Sequence, residues 1–598
     1  MVNKYWANLK FFVSEHLIAI FFALLVGTLC SLPQFLAIWS LGEQYKGIPF
    51  LYSDSEFVYL ARIQEIFDGH LSASSHVFYE YKDSVSITPP SGEYFYFLGS
   101  KLLGISIIGF VYLSKLIFPA ILFLLIYFLV LLLTKKIESE CGLGQKLTAI
   151  LAGLTSTIGY EFFNYRTLIP LLSGNTQNLN LNIWTRLINP ITGAILLFLF
   201  FIFLLKIIEG KRKLIIPAGI LLFLMIGYIF SFGISLLTCL ILSIIFAVKK
   251  EYRIFKDLLS VILFSTIIFA VYIFISLMTN PYPTDSLRMG LFLTHTVLLN
   301  KLLLLVISFF AVSSLYFVKN KTFFKDERNN WWLFLLSVVL ACFISYTQQV
   351  VTGMTVWPQH LVQYTIPISI ITVLVLLFNF FSNNWRKIYI PFLIILIFSN
   401  VFMSLMSLLT YKNILIDFID VQKYGEAVNW IKLNAEKDCV ILSSDNRMNR
   451  IIPALTRCNV YLSDWVFSGV PMDRVRHNYF LYLRLKGITP DTIDSYLSEN
   501  KEEVSNLFFR DWKDLFMDNN DPWLNKISNK KEIENWKEEL NLDLASDFKK
   551  FMNNDLLEQI KKYRIDHVII NGADIGKYKE LKLNLIEETG DFKIYKLN

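Results

Sequence analysis

The chain has 598 residues, of which 54% are hydrophobic, 16% aromatic and only 18% charged, with a formal net charge of +7. This balance excludes an ordinary soluble enzyme and predicts a polytopic α-helical membrane protein. The positive charge implies no nucleic acid, because the basic residues gather in short loops between apolar runs, where they set topology.

Apolar runs from Phe11 to Trp39 and from Leu116 to Leu133, and others as far as Leu409, have the length a helix needs to cross hydrocarbon. About eleven such spans can be drawn. Lys4 and Lys10, Lys135, Lys136 and Lys146, and Lys206, Lys211, Arg212 and Lys213 form the first basic clusters. Lys249, Lys250, Arg253 and Lys256 continue the series, followed by Lys319, Lys321, Lys325 and Arg328, and by Arg386 and Lys387. All fall on one side if the spans alternate, which predicts a cytoplasmic N-terminus. The first span is long and lacks a small-residue cleavage site, so it reads as an anchor rather than a signal peptide.

The first outer segment runs from about Leu41 to Lys115 and opens on Tyr52-Ser53-Asp54-Ser55-Glu56. Ser53 and Glu56 have capping-box spacing, which alone accounts for them at the start of an outer helix. Capping does not occupy Asp54, and a carboxylate at a helix N-terminus stays ionised and available. Asp54 and Glu56 are therefore the candidate catalytic residues, able to activate an acceptor hydroxyl. The segment also holds Thr88-Pro89-Pro90-Ser91-Gly92-Glu93 and an amphipathic stretch from Leu102 to Leu113.

A second outer segment runs from about Glu161 to Pro190. Glu161 and Arg166 have the bland reading of an interfacial ion pair, while Arg186 lies just outside the next span, at the depth of a lipid phosphate. A guanidinium there can bind phosphate oxygens bidentately. Shorter outer segments carry Arg288 with His295, and Trp357 with His360; Trp357 reads as an interfacial anchor and His360 as a candidate phosphate or acceptor contact.

After Tyr411 the sequence becomes charged, and residues 411–598 read as an extracytoplasmic α/β domain following a membrane unit of residues 1–410. Tyr424, Ala427, Val428 and Ile431 mark a helix face. Cys439–Leu442, Val460–Leu462, Asp566–Ile570 and Phe592–Tyr595 are predicted strands, and Asn571-Gly572 a turn. Glu499 to Asn554 reads as helical and solvated. Asp445, Arg447 and Arg450 are expected to be solvated, and Arg474, Arg476 and His477 to lie on the surface. Cys439 and Cys458 could pair in an oxidising compartment, or remain small free core residues. The tail shows no independent active site; its position suggests acceptor recognition or support of the outer loops.

An outer acidic motif after the first span, a helix ending near Gly69, then Pro89-Pro90 and an aromatic-rich amphipathic segment resemble the GT-C superfamily of polyprenyl-phosphate-dependent membrane glycosyltransferases. Its broad relatives are oligosaccharyltransferases, protein mannosyltransferases and lipid A aminoarabinose transferases. The resemblance covers roughly residues 1–410, in topology rather than in long motifs. It implies that Asp54 is the base or a metal ligand, with Glu161 as the nearest second acidic residue. It also implies a divalent cation such as Mg or Mn as an optional cofactor, and an inverting hexosyl or pentosyl transfer. No Asp-x-Asp follows Glu161 and the tail lacks Trp-Trp-Asp, which disfavours peptide glycosylation and leaves metal dependence open.

The expected activity is sugar transfer from a polyprenyl-phosphate donor to a glycan, lipid or protein acceptor at the outer face of a bacterial cytoplasmic membrane. Asp54 would take the acceptor proton, while Arg186, His360 and Arg166 would hold the phosphate. Two alternatives remain at this point: a transporter or flippase of lipid-linked glycans, and a non-catalytic envelope assembly protein. Against the first stand the absence of internal repeats and of carboxylates in mid-span.

Overall fold

The computed structural model describes residue 10 and residues 13–597, apart from 76, 83, 87, 135–141, 164–168, 170–172, 174–180, 280–290, 294, 296, 298–299, 319–328, 382–385, 465–469, 509–529, 573–577 and 579–580. Among the described residues, eight helical stretches are long and apolar enough to cross a membrane: Leu17–Gln44, Ile107–Leu133, Ile191–Ile208, Ile229–Val248, Tyr252–Thr279, Asn330–Thr352, Val362–Phe380 and Lys387–Asn434. The last owes its apolarity to the helix Arg386–Met406. Shorter helices at Leu143–Ser156, Ile215–Leu224 and Lys301–Val318 pack among them.

The helix Ile107–Leu133 is central, touching Leu17–Leu41, Leu143–Ser156 and Ile191–Ile208. Its approach to the first helix depends on Gly27: a Cβ there would lie 2.4 Å from the Leu116 carbonyl oxygen. Small residues permit such main-chain proximity, which gives dispersion contacts where lipid offers no hydrophobic drive between helices. Leu17, Phe21 and Leu24 on the opposite side are exposed, the surface that lipid would cover.

The expected amphipathic stretch from Leu102 to Leu113 is not one element. Gly104, at φ 64°, ends the helix Ser91–Leu103, and Ser106 caps the next by accepting the Gly109 N–H at 3.1 Å. The central helix therefore starts at Ile107 and includes Lys115, whose Nζ donates to the Phe50 carbonyl at 3.1 Å. Ahead of it in the first outer segment lies the helix Glu56–Phe67.

The C-terminal part is a five-stranded sheet in the order Asn459–Val460, Val440–Leu442, His567–Asn571, Phe592–Leu597 and Leu583–Thr589, with helices against it. Its strands are β3 (Val440–Leu442), β4 (Asn459–Val460), β5 (His567–Asn571), β6 (Leu583–Thr589) and β7 (Phe592–Leu597). β3 runs parallel to β4 and β5, and β7 antiparallel to β5 and β6. Three strands match their predicted positions and β4 overlaps its predicted range only at Val460; β6, polar and largely exposed, has no apolar alternation to reveal it. The remaining pair, β1 (Leu291–Leu293) and β2 (Met354–Val356), joins two of the shorter outer segments and was not expected either. Tyr424, Ala427, Val428 and Ile431 are all buried, as their spacing predicted. Cys439 and Cys458 form a disulfide that links the approach to β3 with the approach to β4.

The sheet unit is bound closely to the first outer segment. The Gln422 side chain accepts the Lys46 and Ile48 N–H groups at 2.9 and 3.3 Å and donates to the Ile48 carbonyl at 3.1 Å. The helix Asn446–Leu455 packs on Glu56–Phe67. Arg474 and His477, expected at the surface, are buried, because the helix Met472–Lys486 is covered on several sides. The Arg474 guanidinium lies 4.0 Å from the Phe78 ring centroid and 4.2 Å from that of Tyr563. Arg476 keeps a half-exposed ion pair with Asp547.

Candidate functional site

The helix Glu56–Phe67 begins on a turn in which the Glu56 and Phe57 N–H groups donate to the Ser53 and Asp54 carbonyls at 3.0 and 3.1 Å. The expected capping box does not form, since Ser53 Oγ bonds Ser55 Oγ at 2.8 Å. Glu56 reaches further instead. It is wholly buried, one carboxylate oxygen accepting the Tyr52 N–H at 2.6 Å and the other the Leu187 N–H. Charge-assisted bonds of this kind are stronger than neutral ones, and these fix the first outer segment to the residue after Arg186.

The Arg186 turn is held from the same side at its next residue. Ile188 has φ 59°, a left-handed conformation that a β-branched residue adopts only when its surroundings impose it. Its N–H donates to the Tyr96 hydroxyl at 3.2 Å. Thus Glu56 and Tyr96 together define where the Arg186 side chain starts.

The Arg186 guanidinium lies 5.4 Å from the Tyr52 ring centroid, and its Nε is buried with no hydrogen-bond partner among the described residues. Burial lowers its pKa, but the acidic side chains around it, Tyr59 first and then Glu56, Tyr228 and Tyr52, outweigh that and raise it. A permanently charged group with an unmet donor is therefore poised to receive an oxyanion.

His360 stands close to this charge. Its Nδ1 lies 2.8 Å from the Tyr228 hydroxyl, which donates to Gln363 Oε1 at 3.1 Å, so Nδ1–H is the donor to Tyr228. Burial, reinforced by Arg186, pushes the imidazole pKa down to about 4. The ring is neutral at pH 7 and contributes no positive charge toward a phosphate.

Asp54 points the other way, toward the C-terminal unit. Arg447 holds it at two points, Nε to Oδ2 at 2.9 Å and Nη2 to Oδ1 at 3.0 Å, while Arg447 Nη1 bonds Asp420 at 3.0 Å. Asp445, Arg447 and Arg450 are thus not simply solvated as expected. Asp445 caps the helix Asn446–Leu455 through the Arg447 and Met448 N–H groups, and Arg450 pairs with Asp464. Asp54 stays 41% exposed, on the wall of a cavity of about 670 Å³. Tyr52, Phe418, Asn446, Arg447 and Asp464 also line that cavity, so its walls come from both units. Tyr52 connects the two centres, since it faces the cavity and its ring meets Arg186.

Glu161 accepts the Ile183 N–H at 3.3 Å, and burial pushes its pKa up to about 7 against the lowering effect of that bond. Arg166 and Arg288 lie outside the described residues. His295 donates from Nδ1 to the Val350 carbonyl at 3.1 Å, beside the β1–β2 pair. Among the described residues no group of three or more His, Cys, Asp or Glu is placed to hold a metal ion. Asp54 is engaged by Arg447 and Glu161 by a main-chain N–H, and neither belongs to such a group.

The sequence reading missed Arg447, Tyr52 and Tyr228. Asp445 followed by Asn446 and Arg447 carries a readable helix-start signal, but nothing local connects Arg447 with a carboxylate 393 positions away.

No family model matches the sequence, and neither does any curated protein. Solved structures with a similar chain path include ArnT from Cupriavidus metallidurans bound to undecaprenyl phosphate, at 10% identity and a TM-score of 0.47 over 98% of each chain. The Archaeoglobus fulgidus oligosaccharyltransferase AglB, in complex with an inhibitory peptide and a dolichol-phosphate, matches 97% of this chain and 71% of its own, at 12% identity and a TM-score of 0.43.

Proposed function

We propose that this protein is an integral-membrane glycosyltransferase that moves a sugar from a polyprenyl-phosphate donor to an acceptor hydroxyl at the extracytoplasmic face of a bacterial cytoplasmic membrane. The observation that carries the reading is the buried Arg186 guanidinium with its unmet Nε, joined through Tyr52 to the cavity wall that bears Asp54. The basic clusters between spans favour a cytoplasmic N-terminus, and the Cys439–Cys458 disulfide favours an oxidising compartment for residues 411–598.

In this mechanism the donor phosphate binds Arg186 and the acceptor occupies the cavity. Asp54 removes the acceptor proton as its oxygen bonds the anomeric carbon, and the electrons of the breaking sugar–phosphate bond pass to the phosphate oxygen, which Arg186 stabilises. Attack from the face opposite the phosphate inverts the anomeric configuration. Glu56 positions the Arg186 turn through Leu187, and neutral His360 orients Tyr228 rather than adding charge. Among the described residues the carboxylates form no group of three that would hold a metal ion.

The test is thermal unfolding of the purified protein with sugar-free undecaprenyl phosphate, wild type against Arg186→Ala. A ligand of the native state raises apparent stability as its excess grows. A rise in wild type that Arg186→Ala loses supports the reading; no rise in folded wild type at saturating lipid overturns it.

A further inference from the structure

The disulfide lies between two charges that both reach the first outer segment. Asp438 precedes Cys439, and its Oδ1 accepts from Lys82 Nζ at 2.8 Å and from His70 Nε2 at 3.2 Å. Arg457 precedes Cys458, and its Nε stands 3.4 Å from Asp68 Oδ1. The same two residues are tied through the main chain, the Asp438 N–H donating to the Arg457 carbonyl at 2.8 Å. Asp438 has φ 60°, a conformation its surroundings must maintain. One residue past β4's first position, the Val460 N–H donates to the Val77 carbonyl at 3.0 Å.

These contacts converge on one end of a single helix. Lys82 is buried and also pairs with Glu65 at 3.1 Å, in the last turn of Glu56–Phe67, and Asp68 is that helix's C-cap. The other end bears Glu56, which holds the Arg186 turn, and Asp54, which faces the cavity. Twelve residues at ~1.5 Å each separate the two ends by roughly 18 Å. Leu60 and Ile63 between them are fully buried, and the helix packs on Asn446–Leu455, so displacement at one end is carried to the other.

We infer that the Cys439–Cys458 disulfide is a clamp that positions the Glu56–Phe67 helix, and with it Asp54 and Glu56, by keeping Asp438 and Arg457 in register for the first outer segment. Without the disulfide, main-chain bonds such as that from the Asp438 N–H to the Arg457 carbonyl are what remains to hold Asp438 opposite Arg457.

The test is amide hydrogen exchange on the full-length protein in lipid nanodiscs, comparing wild type, the Cys439→Ser/Cys458→Ser double variant and Asp438→Asn with its disulfide intact. The expected result is exchange at least about tenfold faster over residues 56–82 in both variants, with β5 and β7 still protected. Unchanged exchange over 56–82 in either variant overturns the clamp. Loss of protection throughout β3, β5 and β7 in the double variant also overturns it, since the disulfide would then only staple the sheet. The readout needs no donor lipid, so it stands or falls separately from the transferase reading.

Discussion

Asp54 and Arg447 meet in a two-point ion pair at 2.9 and 3.0 Å although 393 positions separate them in the chain. One belongs to the turn after the first span, the other to a helix of the C-terminal unit. The candidate base is therefore oriented by a part of the chain that lies outside the bundle of spans, and the cavity beside it is lined by both.

Asp54→Asn keeps the shape of the side chain and removes its charge. Transfer measured with a polyprenyl-linked donor should fall about 10²-fold to 10⁴-fold, the usual contribution of a general base. Thermal stability should change by less than about 1 kcal/mol, because Asp54 is itself 41% exposed and Arg447 keeps its bond to Asp420. Full transfer by the variant would remove Asp54 from the mechanism.

Glu56→Gln tests positioning rather than proton transfer. A glutamine has one acceptor oxygen for the two N–H groups, of Tyr52 and Leu187, that Glu56 now receives. One buried donor is left unmet, at about 1–3 kcal/mol. The melting temperature should fall, and stabilisation by undecaprenyl phosphate should weaken, since the Arg186 turn loses its anchor. An unchanged melting temperature would show that the buried carboxylate holds nothing.

Glu161 gives a pH dependence of opposite sign to that of a paired surface carboxylate. Its folded pKa is raised to about 7 by burial, so the neutral acid is the form the fold prefers. That contribution is fully present below the unfolded value near 4.5 and is lost as pH rises through about 7. Glu161→Gln should therefore melt higher than wild type at pH 8 and no higher at pH 4. Parallel pH curves for the two proteins would mean that Glu161 ionises freely.

The parts of this fold that sequence could reveal are those with short-range signatures. Long apolar runs marked the spans, and compact apolar strings such as Cys439–Leu442 marked three of the five strands in the C-terminal sheet and overlapped a fourth. β6 escaped because its exposed residues carry no alternation. The break inside the expected stretch from Leu102 to Leu113 was legible in principle, since Gly104 and Ser106 are stop and start residues. Within the site, Asp54 and Arg186 stood out by residue type and depth. Arg447, Tyr52 and Tyr228 did not, because each acquires its role from a partner in another outer segment. Arg474 was misjudged for a related reason: a charge caged by Phe78 and Tyr563 looks, in sequence, like any surface arginine.

The Lys82 contacts bear on the order in which the protein is made. Synthesis runs from the N-terminus, so Lys82 leaves the ribosome 356 residues ahead of Asp438. During that interval a buried ammonium without a counter-ion would be costly. Glu65, only 17 positions earlier by residue number, already supplies one at 3.1 Å. In the finished fold Lys82 thus has one partner within its own segment, Glu65, and a second, Asp438, from the C-terminal unit.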